Sequence, residues 1–419
     1  MVLGYGARVQ GELAAARRHY VEAIRIADAN EDTVVSLMAR YNRAMVDQLG
    51  ARPDIAIRGL KQWLEEPGNR RWLRAGSAAF LNAVLGLAHL DRLELRQAEA
   101  ALDAAIDLLD ATHTFAYVGV ARVLRAQVYS LTQRTDLALE DIDRARELGA
   151  ARSLDRVLFR AAIAQARILL RGDPGNDSAA ETKERALDQV LADARQVLVA
   201  SQQIDRAVPT ENFVQYEAVC CQRLYRQGDF SELLERAGQA AVKEARAGRI
   251  KHQVEFLGLK ALAAHALGDA AAAGRDLLEA IRLATPGGAA LALVCCGEDL
   301  LAIRIGDQAE GQLEGRADGQ STGQPSGPPP ATRLRGWFAL LDQTTRKPPA
   351  ASPTVQSLHR REVQILQLVE QGLRNREIGE RLYISEETVK WYLKRVYEAL
   401  GVKNRAHALA RVRQLKLLT

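Results

Sequence analysis

The sequence has few of the residues that build disulfide frameworks and metal sites. Its 419 residues include four cysteines, which form two adjacent pairs, Cys220 with Cys221 and Cys295 with Cys296, and no CxxC spacing. Adjacent cysteines of this kind are typical of buried, small apolar positions on helices. The seven histidines contain no HExxH pair. We therefore expect neither a bound metal ion nor a disulfide.

Long apolar runs are also missing. The longest, residues 289–297, is much shorter than the roughly 18 residues of a membrane-spanning helix. The first 20 residues carry Arg8, Glu12, Arg17 and Arg18 among short apolar pieces, unlike a secretory signal. We therefore expect a cytoplasmic protein without a membrane partner.

An excess of positive charge occurs at one end only. Residues 357–419 contain 13 Lys and Arg against 7 Asp and Glu, whereas residues 1–356 contain 44 basic and 45 acidic residues. A concentrated basic segment in an otherwise balanced chain favours a polyanionic partner at that segment.

Helix-forming sequence is abundant. Apolar residues recur three and four positions apart and alternating β-branched runs are absent, which predicts an all-α chain. Small and large apolar residues also repeat at equal offsets, and Ala16 and Ala98 lie 82 residues apart, or two periods of 41. The repeated positions are Gly11, Leu13, Ala16, Tyr20 and Ala23; Leu93, Leu95, Ala98, Leu102 and Ala105; Ala138, Ile142 and Ala145; and Gly268, Ala273, Leu277 and Ala280.

This spacing is typical of stacked helix pairs, in which a small residue at the crossing lets two helices approach closely. It resembles the tetratricopeptide repeat, although the period exceeds the usual value of about 34 residues. An α-solenoid of other ancestry would show similar spacing. We assign residues 1–304 to a tetratricopeptide-like array that serves sensing or interaction. The pattern begins partway through a repeat at Leu3, which indicates a piece of a longer protein.

A linker is predicted between this array and the basic segment. Residues 306–330 contain six glycines and four prolines, a composition typical of flexible chain. We assign residues 305–356 to the linker, with a short helix near residues 334–343.

The basic segment, residues 357–419, is predicted to form four helices. The first runs from Arg360 to Gln371 and ends at Gly372, and the second runs from Asn375 to Leu382. After a tight turn, Ser385 is the expected N-cap of a third helix. Its apolar stripe, spaced four, three and four, consists of Val389, Leu393, Val396 and Leu400. A short helix, a turn and a longer helix with a basic outer face indicate a helix-turn-helix domain.

The segment resembles the DNA-binding domain of LuxR-type regulators. The resemblance lies in REVQILQLVEQGLRNREIGERLYIS, TVKWYL and LGVKNRAHA, in that order. The chain departs from the family at His359, where a threonine is usual, and at Trp391, where histidine is common.

This resemblance implies a division of work among the polar residues. Lys390, Trp391 and Lys394 are expected to reach base edges or nearby phosphates. Each charge, taken alone, is equally typical of a solvated helix face, and Trp391 is also suited to packing on a second subunit. The fourth helix, residues 405–416, is a candidate homodimer surface, because it carries a partly apolar stripe of Ala406, Leu409, Val412 and Leu415. The residues expected to hold the DNA backbone are Arg376, Ser385, Thr388, Arg395 and Arg405.

The combination of array and DNA-binding domain resembles the C-terminal half of MalT-like large regulators, which carry an N-terminal signalling ATPase. No GxxxxGK[ST] loop occurs in this chain, so we expect no nucleotide cofactor and no enzymatic activity. We predict a transcriptional regulator, an activator, that binds double-stranded DNA and RNA polymerase while the array senses a small-molecule or protein effector. The alternatives are a protein-interaction scaffold and a truncated remnant of a signalling ATPase regulator.

Overall fold

The computed structural model describes residues 1–69, 79–111, 114–171, 177–204, 210–305, 328–345, 360–382, 386–400, 402 and 404–414. The chain divides into two compact units. One comprises Met1–Leu109 and Thr114–Thr345, and the other comprises Arg346–Thr419 with Asp110–His113. Every regular element in the described ranges is a helix, which confirms the all-α prediction. No described helix is both long and apolar enough to cross a membrane.

The first unit is a solenoid-like array in which consecutive helices pack against each other. A 3-10 turn at Pro67–Asn69 follows the fourth helix, and another at Glu298–Ala302 follows the fifteenth. The helices are α1 (Val2–Val9), α2 (Leu13–Ala29), α3 (Thr33–Leu49), α4 (Pro53–Glu65), α5 (Ala79–Asp91), α6 (Leu95–Ala111), α7 (Phe115–Leu131), α8 (Thr135–Ala151), α9 (Asp155–Arg171), α10 (Asp177–Ile204), α11 (Thr210–Gln227), α12 (Phe230–Arg246), α13 (Ile250–Ala266), α14 (Ala270–Ala284), α15 (Leu291–Val294) and α16 (Pro330–Thr345).

Small residues at the helix crossings determine how closely the helices approach. A Cβ added at Gly4 would lie 2.8 Å from the Tyr20 ring, and one added at Gly86 would lie 2.5 Å from Cγ of Leu102. Tyr20 and Leu102 are fully buried in the space that these glycines leave open. The repeated alanines of the sequence pattern occupy the same kind of position, and all but the partly exposed Ala23 are confirmed as core residues: Ala16, Ala98, Ala105, Ala138, Ala145, Ala273 and Ala280.

The turns between helices repeat one backbone conformation with different residues. Gly11 and Gly268, which the repeat pattern assigns to turns, have φ values of 83° and 85°. In the matching copies the left-handed conformation is adopted by Leu93, with φ of 60°, and by Gln133, with φ of 59°. The left-handed turn conformation is therefore kept in the repeats that have no glycine at this position.

Residues far apart in sequence close the array around an interior. Arg8 of α1 forms an ion pair of 3.2 Å with Glu211 of α11, and Lys251 of α13 forms one of 2.6 Å with Asp91 of α5. Arg92 Nη1 donates a hydrogen bond of 3.1 Å to the carbonyl oxygen of Gly287. The repeat spacing did not predict this closure, because a periodic pattern describes only neighbouring helices.

The helix predicted near residues 334–343 is longer than expected and belongs to the array. It spans Pro330–Thr345 as α16 and packs against α14 and the 3-10 turn at Glu298–Ala302. Leu334 and Phe338 are buried in the array core. An amphipathic helix buries its apolar side against other elements of the protein. The assignment of residues 305–356 to a linker is therefore wrong for 330–345. The linker residues 306–327 and 346–356 lie outside the described residues.

The four cysteines are free thiols. Cys221 and Cys296 are buried, as expected, while Cys220 and Cys295 are partly exposed. Burial raises the pKa of the Cys221 thiol to about 12, which keeps this thiol protonated and unreactive at neutral pH.

We expect Gln133→Gly to raise the free energy of unfolding by about 0.5 to 1 kcal/mol, because glycine adopts a positive φ without a Cβ clash. Gly268→Ala is the reciprocal change, at a φ of 85°, and should lower the free energy of unfolding by about 1 kcal/mol. Urea unfolding followed by circular dichroism measures both. If the two variants shift the midpoint of urea unfolding in the same direction, the left-handed conformation of these turns does not limit the stability of the array.

Candidate nucleic-acid interface

In the described residues of the second unit, four helices lie at the predicted places. They are α17 (Arg360–Glu370), α18 (Asn375–Leu382), α19 (Glu386–Leu400) and α20 (Arg405–Gln414). The first ends one residue before the predicted Gln371. The predicted turn at 383–384 and residues 415–416 of the fourth helix lie outside the described residues.

The third helix, α19, is held by one buried stripe. Val389 and Val396 are fully buried, and Leu393 and Leu400 nearly so, which confirms the predicted four, three, four spacing. The stripe packs into two small cores that also fix α17, α18 and α20. Their other buried members are Ile365, Leu368, Val369, Ile378 and Tyr392 in the first, and Leu366, Ala408 and Val412 in the second.

Local hydrogen bonds determine where the first two helices end and begin. Gly372 has a φ of 86°, and the N–H of Leu373 donates to the carbonyl oxygen of Leu368 over 3.2 Å. This pattern is a Schellman motif, which ends α17. The N–H of Arg374 then donates to Oε2 of Glu377 over 2.6 Å, which is half of a capping box and begins α18.

The exposed surface of α18 and α19 carries positive charge. Lys390 and Lys394 are exposed on α19 and lie one turn apart, about 6 Å along the helix axis. Because Val389, Leu393 and Val396 are buried, the two lysines emerge on the outer side of the helix. Arg376 of α18 is also exposed. The geometry therefore brings these three predicted residues to the surface.

Two further cations were missed by the sequence interpretation. Arg374 and Arg381 are exposed at the two ends of α18. The run RNREIGER contains three arginines around the buried Ile378, and this spacing of charges about one core residue was the available signal.

The structure describes the side chains of four of the eight predicted DNA-binding residues, Arg376, Lys390, Lys394 and Arg405. Ser385 lies outside the described residues. Thr388, Trp391 and Arg395 lie on α19, but their side chains are outside the described set. Their roles stay predictions.

Arg405 has a contact within its own domain. Its Nη2 donates to the carbonyl oxygen of Leu373 over 2.5 Å and to that of Val369 over 3.3 Å. The Val369 carbonyl lies in the last turn of α17, and the Leu373 carbonyl lies in the turn that follows this helix. Arg405 therefore joins the first helix to the fourth, and its expected contact with the DNA backbone stays a prediction.

The apolar stripe proposed for dimerisation is partly used inside the domain. Val412 is fully buried beside Leu366 and Val396, and Leu409 packs partly against the other core. Val412 is therefore unavailable to a second copy, since it completes the fold of its own subunit. A dimer through α20 would have to use the exposed residues of that helix.

Comparison with known proteins identifies the second unit. Residues 356–412 match the family model GerE, described as bacterial regulatory proteins of the luxR family. The HTH-type transcriptional regulator AlkS of Alcanivorax borkumensis is 39% identical over 70 residues, which are 17% of this chain and 8% of that protein. The transcriptional regulatory protein DegU of Brevibacillus brevis is 46% identical over 52 residues, which are 12% of this chain and 22% of that protein.

The family model matches the C-terminal domain alone, and the aligned segments span a small fraction of each relative, 8% of AlkS and 22% of DegU. The second unit is therefore a LuxR-type helix-turn-helix domain, as its sequence predicted. The all-helical first unit is consistent with the expected architecture.

We expect Arg405→Met to accelerate hydrogen exchange at the end of α17 and in α20, because two carbonyls lose a charged donor worth about 1.5 to 3 kcal/mol. Arg413→Met is the matched control. Its 3.4 Å contact with Glu370 is at the surface, with 68% of the arginine side chain exposed, so little change is expected. Equal exchange in the two variants would contradict the structural role of Arg405.

Proposed function

We propose that this chain is a DNA-binding transcriptional regulator in which the helical array senses an effector and the C-terminal domain binds double-stranded DNA. The observation that carries the proposal is the LuxR-type domain with Lys390 and Lys394 exposed on a helix whose opposite side is buried. The relatives AlkS and DegU are themselves described as transcriptional regulators.

The proposed binding mode inserts α19 into the major groove. A groove about 12 Å wide admits a helix, and the buried stripe of Val389, Leu393 and Val396 keeps the lysines on its outer side. Lys390 contacts a base edge, and Lys394 contacts a base or a phosphate. Arg376, together with Arg374 and Arg381, neutralises flanking phosphates and releases their counterions.

The array is proposed to be the regulatory part. Its repeat spacing supports a tetratricopeptide-like solenoid, and solenoids present curved surfaces suited to a ligand or partner. The proposal includes a cytoplasmic activator that contacts RNA polymerase, dimerises through exposed residues of α20 and performs no catalysis of its own.

We expect Lys390→Ala to weaken binding to a specific site by about 1 to 3 kcal/mol and to relax the preference at one base pair. Lys394→Ala, if it removes a phosphate contact, should weaken binding to all sequences and lower the salt slope by about one. Affinities of the full chain for a selected and a scrambled duplex, measured at several salt concentrations, separate the two effects.

Arg413→Ala is the control for this measurement, because it removes one exposed positive charge from α20. It should change affinity on both duplexes less than either lysine variant. Wild-type affinity and salt slope in Lys390→Ala would exclude α19 as the helix in the groove.

A further inference from the structure

The interior of the array contains a cavity of about 130 Å³. One side of α9 lines it with residues spaced three and four apart, among them Arg160, Ile163 and Arg167. Residues of α3, α5, α7, α11, α13 and α15 complete the wall. An apolar cavity of similar volume, about 150 Å³, accommodates benzene, so this space suits a molecule of roughly six to nine non-hydrogen atoms.

Arg160 and Arg167, two of the three arginines that line the cavity, differ in their partners. Arg167 forms an ion pair of 2.7 Å with Glu255. Arg160 is 9% exposed, and its nearest described carboxylate oxygen, on Glu211, is 3.7 Å away, beyond hydrogen-bonding distance. Glu211 is itself paired with Arg8 over 3.2 Å. One carboxylate therefore serves two guanidinium groups.

The surroundings of Arg160 are short of negative charge. Burial and the neighbouring Arg156 both lower its pKa, and its Nε has no hydrogen-bond partner among the described residues. Burial would raise the pKa of Glu211, but Arg160 and Arg8 hold it at about 2. Glu211 is thus ionised at neutral pH and still does not satisfy Arg160, so an additional anion would be stabilised here.

A second polar group on the wall is unsatisfied. His252 of α13 is 4% exposed, and neither of its ring nitrogens has a hydrogen-bond partner in the described part of the chain. Burial lowers its pKa, so the ring is neutral at pH 7 and offers one donor and one acceptor. A buried polar group without a partner destabilises the folded chain, and a ligand that forms the missing hydrogen bonds would remove this penalty.

The rest of the wall is largely hydrocarbon. Leu49 of α3, Val123 and Leu124 of α7, and Leu291 of α15 face the same space as the arginines. An inorganic anion would leave these side chains without a partner. A ligand with one anionic group and an apolar remainder would match both parts of the wall.

We propose that this cavity binds a small monocarboxylate with a hydrocarbon or aromatic body, its carboxylate held by Arg160 and His252. The planar guanidinium matches a carboxylate in shape and charge, and the apolar wall takes the body. The site lies in the array and not in the DNA-binding domain. A regulatory role for the ligand therefore rests on the proposed function of the array as the sensor.

The test uses the full chain and two matched pairs of probes, benzoate with benzamide and hexanoate with hexanamide, in isothermal titration calorimetry. Each carboxylate should bind at least tenfold more tightly than its amide. Arg160→Gln and His252→Gln should each weaken carboxylate binding at least tenfold. The control Arg282→Gln, which alters an exposed arginine paired with Glu279 on α14, should bind as the wild type does.

Equal affinity of the wild type for carboxylates and amides would overturn the proposal, and so would unchanged binding in both cavity variants. Sulfate binding as tightly as benzoate would overturn the claim that the apolar wall binds the body of the ligand. Circular dichroism checks folding, and His252→Gln provides the decision if Arg160→Gln does not fold.

A gel shift on the same samples separates this proposal from the proposed function. DNA binding without carboxylate binding refutes the cavity site alone. Carboxylate binding that leaves DNA affinity unchanged supports the site and contradicts the sensory role.

Discussion

The close approach of paired helices is the constraint on which the array depends. Gly4 and Gly86 leave room for Tyr20 and Leu102, and a single Cβ at either glycine would occupy the space of the partner side chain. Helices separated by the usual 8 to 10 Å interlock only when small residues alternate with large ones at the crossing. Because the same arrangement recurs along the chain, each helix pair positions the next, and the last pairs return to contact the first.

This return creates an interior in which charge is costly unless it is paired. The array mostly meets this requirement. Arg125 is buried and makes hydrogen bonds of 2.7 and 2.8 Å to Asp141, and Arg249 is bound by Glu244. Against these satisfied pairs, Arg160 stands out as a buried cation that shares its nearest carboxylate with Arg8. This incomplete pairing inside a cavity is the observation from which the carboxylate site is proposed.

In the DNA-binding domain, the main structural requirement is to hold the third helix in place. Its third helix must be rigid on one side and polar on the other, and two small cores that share Tyr397 supply the rigidity. The fourth helix is part of this support, since Val412 completes one core and Arg405 donates to one carbonyl in the last turn of the first helix and to another in the turn after it. Residues that look like a dimer surface or a DNA contact in the sequence thus also maintain the domain.

Local and periodic features were predictable from the sequence alone. The all-α class, the buried positions Ala16, Ala98 and Ala138, and the helices around Val389 follow from spacing, because helix geometry repeats every few residues. The LuxR-type domain followed from a long ordered match. Contacts between distant residues were not predictable, since no periodicity relates Arg8 to Glu211 or Lys251 to Asp91. Only the tertiary structure decided three further features: the packing of α16 on the array, the hydrogen bonds of Arg405, and the sharing of Glu211 by Arg160 and Arg8. Each depends on which surfaces the folded chain brings together.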